Sequence, residues 1–565
     1  MKNKMKNINK WIAGVSLAVV ISFASCTKDS NLFDLDINVD PNNPTKGSVK
    51  LLLPEAERRM ANWLNGLVQT QMGAVGQISA SDSYGYGANG FYGSWSSFYT
   101  GWGKDVDEII KAATEAGNKP YLGVAQAMKA YGFVTMVDLF GTCPYTEAFG
   151  GNLAEQNINP KFDAGKDIYA ACYKLLDDAT ANLNAASSIS ISPDIFYSGS
   201  KANWIRFVNT LRLKMKITER RVNPNSKADI QAALTATGGL VTGTANDFTW
   251  KYGSQISPEL RHPWYTAGYL SQMDFTYVEV DMMWKMFLKK DPRFPFYYKR
   301  QTSYLLNPNN PTDKGATPVQ GAYLVYENSA WEQGVAAGVL SRTKADTQFL
   351  AGFFGRYRGD QAGVPQDQDY RTAPGVYPAA GLYDDRNGAP VLLRSGGGNK
   401  GRGDGISPFM TSWMVKFWQA EAELAYSFGD PRATAEAAVR EHIAYVAAFG
   451  ASKDANAKAP AAADVTAYVN AFLADYDAAP TAEAKINAVL YQAWIAGWGN
   501  GFEAYNAMRR TGYPTGLKPP ITLYSQFALR WPVPATEGAL NPNAPSPLPV
   551  YFTEPVFWDV VKFKF

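Results

Sequence analysis

Histidine and cysteine are nearly missing from this 565-residue chain, which has two of the first and three of the second. His262 and His442 lie far apart, without ligand-spaced neighbours, which removes the ordinary zinc and histidine-based acid–base sites. Three cysteines cannot staple a chain of this size, so its stability must come from a hydrophobic core. Cys143, in a Gly-Thr-Cys-Pro-Tyr turn, and Cys172, on a predicted helix, read as buried thiols acting as small apolar residues. Beyond the N-terminus no run of 18 clean apolar residues offers a spanning helix. A surplus of charge is missing too. The formal net charge is +3, but the first 25 residues hold four lysines and no acid, and the remaining basic side chains nearly balance the 51 acids. Such a body gives no electrostatic case for binding nucleic acid or an anionic membrane surface.

The N-terminus is the exception. Lys2, Lys4, Lys6 and Lys10 precede an apolar run from Trp11 to Phe23, too short to cross a bilayer, followed by Ala24-Ser25-Cys26. This is the layout of an export signal. Cys26 at the cut site resembles a bacterial lipoprotein box, in which the thiol is acylated and becomes the new N-terminus. Residues 1–25 are therefore expected to be a lipoprotein signal peptide and 26–565 the mature binding domain. Lys28-Asp29, close to the lipid, resembles the short charged signals that send such lipoproteins across the outer membrane to the cell surface.

Catalytic constellations are absent or incomplete. There is no Gly-x-Ser-x-Gly elbow between a strand and a helix. Gly396-Gly397-Gly398-Asn399-Lys400-Gly401 matches a dinucleotide fingerprint by letter, but Arg-Gly-Asp-Gly follows it where a helix is needed. Asp367-x-Asp369 lacks the glycine and distal acid of a calcium loop. Arg358-Gly359-Asp360 and Arg402-Gly403-Asp404 read as coincidences in Gly-, Arg- and Asp-rich loops. A surface glycoside hydrolase is the remote alternative, since a glycosidase needs only two carboxylates. Nothing marks out such a pair, and Glu421 and Glu423 point to different sides of their helix. No cofactor and no metal are expected.

Apolar spacing predicts helices over 51–72, 121–140, 165–184, 201–220, near 272–289, and over 408–428, 432–449, 462–476 and 482–510. Asp163 is placed to cap the helix at 165. Trp204, Phe207, Val208, Leu211 and Met215 form one apolar stripe, and Trp494, Trp498, Phe502, Tyr505 and Met508 another. Residues 236–405 are rich in Gly and Pro and read as loops, as do 515–565. The expected fold is all-α: tetratricopeptide-like helix pairs, mainly 51–72, 121–220 and 408–510, around a loop-rich variable region. No clean self-repeat of about 34 residues supports this independently.

Aromatic residues are the surplus: 15 Trp, 32 Tyr and 29 Phe. Between 84 and 102 they alternate with Gly, Ser and Asn, which make poor core. Sugar rings lay their C–H faces on aromatic side chains while neighbouring amides and hydroxyls bind their hydroxyl groups. A Tyr/Ser/Gly-rich surface for a protein or peptide has the same composition, and inward packing is the third alternative. Tyr84, Tyr86 and Trp95 are expected to be exposed, with Phe98 and Trp102 inside.

Several stretches together resemble the SusD/RagB family of surface nutrient-binding lipoproteins of Bacteroidota. They are Asn38-Val39-Asp40-Pro41-Asn42-Asn43-Pro44, Asp138-Leu139-Phe140-Gly141-Thr142-Cys143-Pro144-Tyr145, Lys161-Phe162-Asp163 and Asp291-Pro292-Arg293-Phe294-Pro295. Ala420-Glu421-Ala422-Glu423, Gly499-Asn500-Gly501-Phe502-Glu503-Ala504-Tyr505, Arg530-Trp531-Pro532-Val533-Pro534 and Phe557-Trp558-Asp559 follow in order. The resemblance implies a helical scaffold with four tetratricopeptide-like helix pairs. It implies a SusC-like TonB-dependent β-barrel transporter as partner, an outer-membrane location through the lipid on Cys26, and capture of oligosaccharides, or in some members peptides, without chemistry. The binding arc it implies lies in loops, which places Tyr84, Tyr86, Tyr92, Trp95 and Tyr99 in it, with Trp264, Tyr265, Tyr326 and Trp331.

Overall fold

The computed structural model describes residues 48–79, 86–152, 157–270, 277–300, 353, 355, 358, 372–385, 401–520 and 526–564. Its principal helices are α1 (Val49–Ala74), α2 (Gly103–Glu115), α3 (Lys119–Phe140), α4 (Gly165–Asn184), α5 (Lys201–Thr218), α6 (Ser226–Leu234) and α7 (Val280–Leu288). After the centre come α8 (Ser412–Tyr426), α9 (Pro431–Lys453), α10 (Ala462–Ala478), α11 (Ala482–Ala496) and α12 (Gly501–Thr511). Helices adjacent in sequence pack together, α2 on α3, α3 on α4, α4 on α5, and α8 on α9, α9 on α10, α10 on α11. Contacts of α12 with α1 and of α8 with α5 join the early helices to the late ones. The expected helical class and helix-pair plan are what the chain adopts.

Local chemistry explains the boundaries. Asn118 caps α3 by accepting from the Tyr121 amide, Pro120 opens it, and Gly141, at φ 78°, closes it. Almost every side chain of α3 is buried, so it is the helix the others surround. Asp163 does not cap α4; Ala164 holds that position. The Asp163 carboxylate instead accepts from the Tyr145 and Thr146 amides, at 2.9 and 2.8 Å, fixing the turn after α3. The predicted helix over 482–510 is two helices. Gly499 takes a left-handed φ of 91° and Asn500 caps α12, donating through its own amide to the Pro408 and Phe409 carbonyls. Residues 406–410, the last three of which are expected to begin a helix at 408, form a strand against Phe248–Lys251. The described strands are short antiparallel pairs, the others being Thr142–Cys143 with Asp163–Ala164 and Tyr298–Lys299 with Ala373–Pro374.

Two buried carboxylates inside the helical body are each met by several partners. Asp138, buried, accepts from Tyr169 Oη and Trp558 Nε1 on one oxygen, and from Lys214 Nζ and Asn506 Nδ2 on the other. Glu421 lies between Arg220 (2.8 Å) and Arg510 (2.7 Å), tying α8 to the end of α5 and to α12. Burial opposes ionisation of Glu421, but Arg510 and Arg220 outweigh it and hold the carboxyl at about 2. Glu423 points the other way, accepting from Gln419.

The Glu421 triad sets an acid limit. Its folded pKa lies below the unfolded value, so its contribution is present above about pH 4.5 and is lost as pH falls towards 2. Glu421→Gln, which leaves two buried guanidiniums without their anion, is expected to cost about 3–5 kcal/mol at pH 7. It should also flatten this part of the acid limb. Urea denaturation of both proteins between pH 3 and pH 7 checks both outcomes, and parallel pH curves would refute the assignment.

Candidate functional site

The aromatic segment sorts its rings by helical period. A turn at Gly87–Gly90 leads into a short helix, Tyr92–Ser96, and a wider helical turn, Ser97–Trp102. Phe91, Trp95, Phe98 and Trp102 fall on one inner stripe. Phe91 stacks on Trp531 with centroids 3.8 Å apart. Trp95 meets Phe140 edge-on at 5.0 Å and lies parallel to Phe162 at 5.9 Å. Phe98 and Trp102 flank Trp63, at 5.5 and 5.2 Å. Gly132 of α3 seats them, because a Cβ there would come within 2.5 Å of Trp102. Phe98 and Trp102 are therefore inside, as expected, but Trp95, expected to be exposed, is 3% exposed. The i, i+4, i+7, i+11 spacing from Phe91 was the signal that outweighed the Gly/Ser composition.

The outer rings make a ledge. Tyr86, half-buried, packs on Phe91 at 5.1 Å and faces Tyr551 at 5.6 Å, and Tyr551 in turn faces Phe552 at 4.2 Å. Tyr551 Oη donates to the Tyr86 carbonyl (3.4 Å). Two further bonds, Ala535 N to Ala88 O and Thr536 N to Asn89 Oδ1, fasten the 86–91 turn to the C-terminal segment. Tyr92, 48% exposed, stands on the outside of the same turn. Tyr99 is half-buried, and its hydroxyl is committed to the Pro144 carbonyl at 2.8 Å. Tyr551 and Phe552 were missed in the sequence because they lie in a Pro-rich tail with no periodicity. The foot of the aromatic loop is set by Ile78 pairing with Val278 and by Ser79 N donating to Tyr277 O.

Trp264 and Tyr265 do not join the ledge. Trp264, 1% exposed, packs edge-on against Trp498 (5.5 Å), and Tyr265 stacks on Tyr269 (5.2 Å) and donates to the Gly401 carbonyl. Pro263 starts a helical turn that rolls both rings into the core, so the expectation of a loop contact is corrected for these two. Tyr84, Tyr326, Trp331 and Cys26 lie outside the described residues.

A cleft of about 760 Å³ opens elsewhere, between the end of α7 with the following turn and the start of α10. Asp291-Pro292-Arg293-Phe294-Pro295 builds its floor. Arg293, fully buried, donates to both Asp291 oxygens, to Tyr468 Oη and to Gln492 Oε1, and meets His442 Nδ1. Among the described residues no group of three His, Cys, Asp or Glu side chains is arranged to hold a metal ion. Burial pushes the His262 imidazole down to about 3 and the Cys143 thiol up to about 12, and Cys143 and Cys172 are both buried and unbridged.

Two family models match. One, described as "Starch-binding associating with outer membrane", spans residues 41–324, just over half of the chain; the other, "Susd and RagB outer membrane lipoprotein", spans 410–524. The chain belongs to the SusD/RagB family. No curated protein matches it in sequence. Solved SusD-type structures match its fold at low identity. A SusD homologue from Bacteroides fragilis covers 92% of this chain and all of its own, with a TM-score of 0.63 and 18% identity. A SusD/RagB family protein from Bacteroides thetaiotaomicron covers 91% of this chain and 99% of its own, at TM-score 0.65 and 18% identity. A chitin-binding SusD homologue from Flavobacterium johnsoniae covers 92% of this chain and all of its own, at 0.61 and 18%. The SusD/RagB motifs seen in the sequence fall on structural hubs: Asp138, Arg293, Glu421, Asn500 and Trp558 are all buried. The ledge lies beside these motifs and not within them.

The inner and outer rings should differ in what they support. Trp95→Ala is expected to cost about 3–5 kcal/mol of unfolding free energy. Tyr92→Ala should stay within about 0.5 kcal/mol of the parent. Chemical denaturation of the two variants measures both values; equal losses would contradict the sorting.

Proposed function

We propose that this protein is a lipid-anchored, cell-surface glycan-binding protein that captures oligosaccharides and passes them to a SusC-like TonB-dependent transporter. The ledge of Tyr86, Tyr551 and Phe552 on a SusD/RagB scaffold carries the reading. Neighbouring half-buried rings held by backbone bonds offer apolar surface at fixed spacing, which suits the C–H faces of sugar units. Asn89 and Tyr92 supply hydrogen-bonding groups beside them. The family description names starch binding, and the Flavobacterium johnsoniae relative is described as chitin-binding; both support a polysaccharide as ligand class.

Residues 1–25 would be removed on export and Cys26 acylated, leaving 26–565 as the mature protein on the outer membrane. The protein does no chemistry in this reading. A ledge of two or three rings binds with a Kd between about 1 μM and 1 mM. Weak capture is enough when an anchored protein holds its ligand next to a transporter, because confinement raises the effective concentration.

Calorimetry of the protein lacking residues 1–26, titrated with a panel of starch, chitin and plant-wall oligosaccharides, tests the ligand class. Binding to at least one is expected, and Tyr86→Ala or Tyr551→Ala should weaken it about tenfold. Silence across the panel with retention of peptides from a protein digest would replace glycan by peptide. Protease access on intact cells tests surface exposure; protection until the outer membrane is opened would refute it.

A further inference from the structure

The turn that ends α7 carries an unusual residue. Lys290 N donates to Phe287 O and Asp291 N to Met286 O, and between them Lys290 takes φ 53°. Glycine is the unstrained choice at this helix-ending position, and lysine there lowers stability. It is one of six described non-glycine residues at positive φ, and its side chain lines a cleft. Lys290 stands on one lip of the 760 Å³ cleft, and Lys458, from the segment before α10, stands on the facing lip. Both are exposed, and among the described residues neither forms an ion pair. The other charges at the cleft are largely spoken for. Lys289 is held by Asp475 at 2.8 Å and Asp291 by Arg293 at 2.6 Å, which leaves Asp464 as the lining acid against two unpaired cations.

The cleft has the size of a small-ligand site, about 300–1,000 Å³. Its floor is apolar, made of the buried residues Pro292, Phe294, Pro295 and Phe296. Tyr383 adds a half-buried ring, set edge-on to Phe296 at 4.8 Å, with its backbone amide held by Asp454. An apolar floor with a half-buried ring in its lining, beside two exposed lysines, suits a ligand with apolar faces and negative substituents.

We propose that this cleft is a second saccharide site, separate from the ledge, and that it takes oligosaccharides bearing carboxylates, the uronic acids. The assignment rests on the carbohydrate reading of the protein. Lys290 and Lys458 bind carboxylates of neighbouring sugar units, and Tyr383 meets a ring face.

Calorimetry with oligogalacturonate, oligoalginate and a glucuronate-containing oligosaccharide, each beside its methyl ester, tests this. At least one acid form should bind, more weakly at higher salt, and its ester should bind at least about tenfold more weakly. Lys458→Glu should lower the affinity about tenfold. Lys290→Gly should lower it several-fold while raising the melting temperature, a pair of effects that mere misfolding cannot produce. Equal binding of acid and ester, unchanged affinity in both lysine variants, or binding of tetraglutamate with none of the uronates would overturn the proposal. If neutral glycans bind and no uronate does, this site falls and the glycan reading stands; if neither binds, both fall.

Discussion

A carboxylate with no access to water has to be met on every side, and Asp138 meets that condition from four directions at once. Its partners come from α4 (Tyr169), α5 (Lys214), α12 (Asn506) and the C-terminal segment (Trp558). Lys214 also reaches Glu503, whose other oxygen accepts from Trp418 of α8. Removing any donor leaves a buried charge short of a partner, which costs far more than the net value of the bond. The set therefore acts chiefly on specificity: helices distant in sequence have one mutual register in which Asp138 is satisfied.

That register places the ledge. Arg509 donates to the Asp138 carbonyl and to the Leu529 carbonyl, and Trp531 N donates to Leu139 O. The C-terminal segment is thus pinned to the end of α3 one residue from the hub. Trp531 then stacks on Phe91, and Leu529 N binds Tyr551 O, which brings Tyr551 beside Tyr86. Tyr551 is thus three contacts from Asp138, through Leu529 and Arg509. The proposed binding surface, built from loops, acquires its spacing from the helical core in this way, and such preorganisation lowers the entropy cost of binding.

Periodicity and capping made most of the scaffold legible in the sequence. The stripes from Trp204 to Met215 and from Ile168 to Leu176 needed no long-range information, and α4 begins and ends where the spacing places it. The break at Gly499-Asn500 was hidden because Trp494, Trp498, Phe502 and Tyr505 keep a helical period across it. Only the pairing of Asn500 with the carbonyls of a distant strand reveals the turn. The site was less legible. Composition identified the aromatic segment, but the face each ring takes depends on Gly132 of α3 and on Trp531, which are distant in sequence. Tyr551 and Phe552 had no local mark at all, since a ledge residue in a Pro-rich tail is defined by what it lies against.

The distribution of charge separates the buried, motif-bearing core from the surfaces proposed to meet ligands. Buried ionisable groups such as Glu421, Arg293 and Asp138 have near-complete partners and sit on the sequence motifs of the family. The ledge and the cleft carry half-buried rings and, at Lys290 and Lys458, exposed lysines that form no ion pair among the described residues. The motif residues sit where a buried charge or ring admits few alternatives. Residues at a weak, preorganised surface can change with the ligand, since each contributes only a fraction of a small binding energy. A chain whose core motifs fix its fold can therefore change its surface residues without altering how it folds.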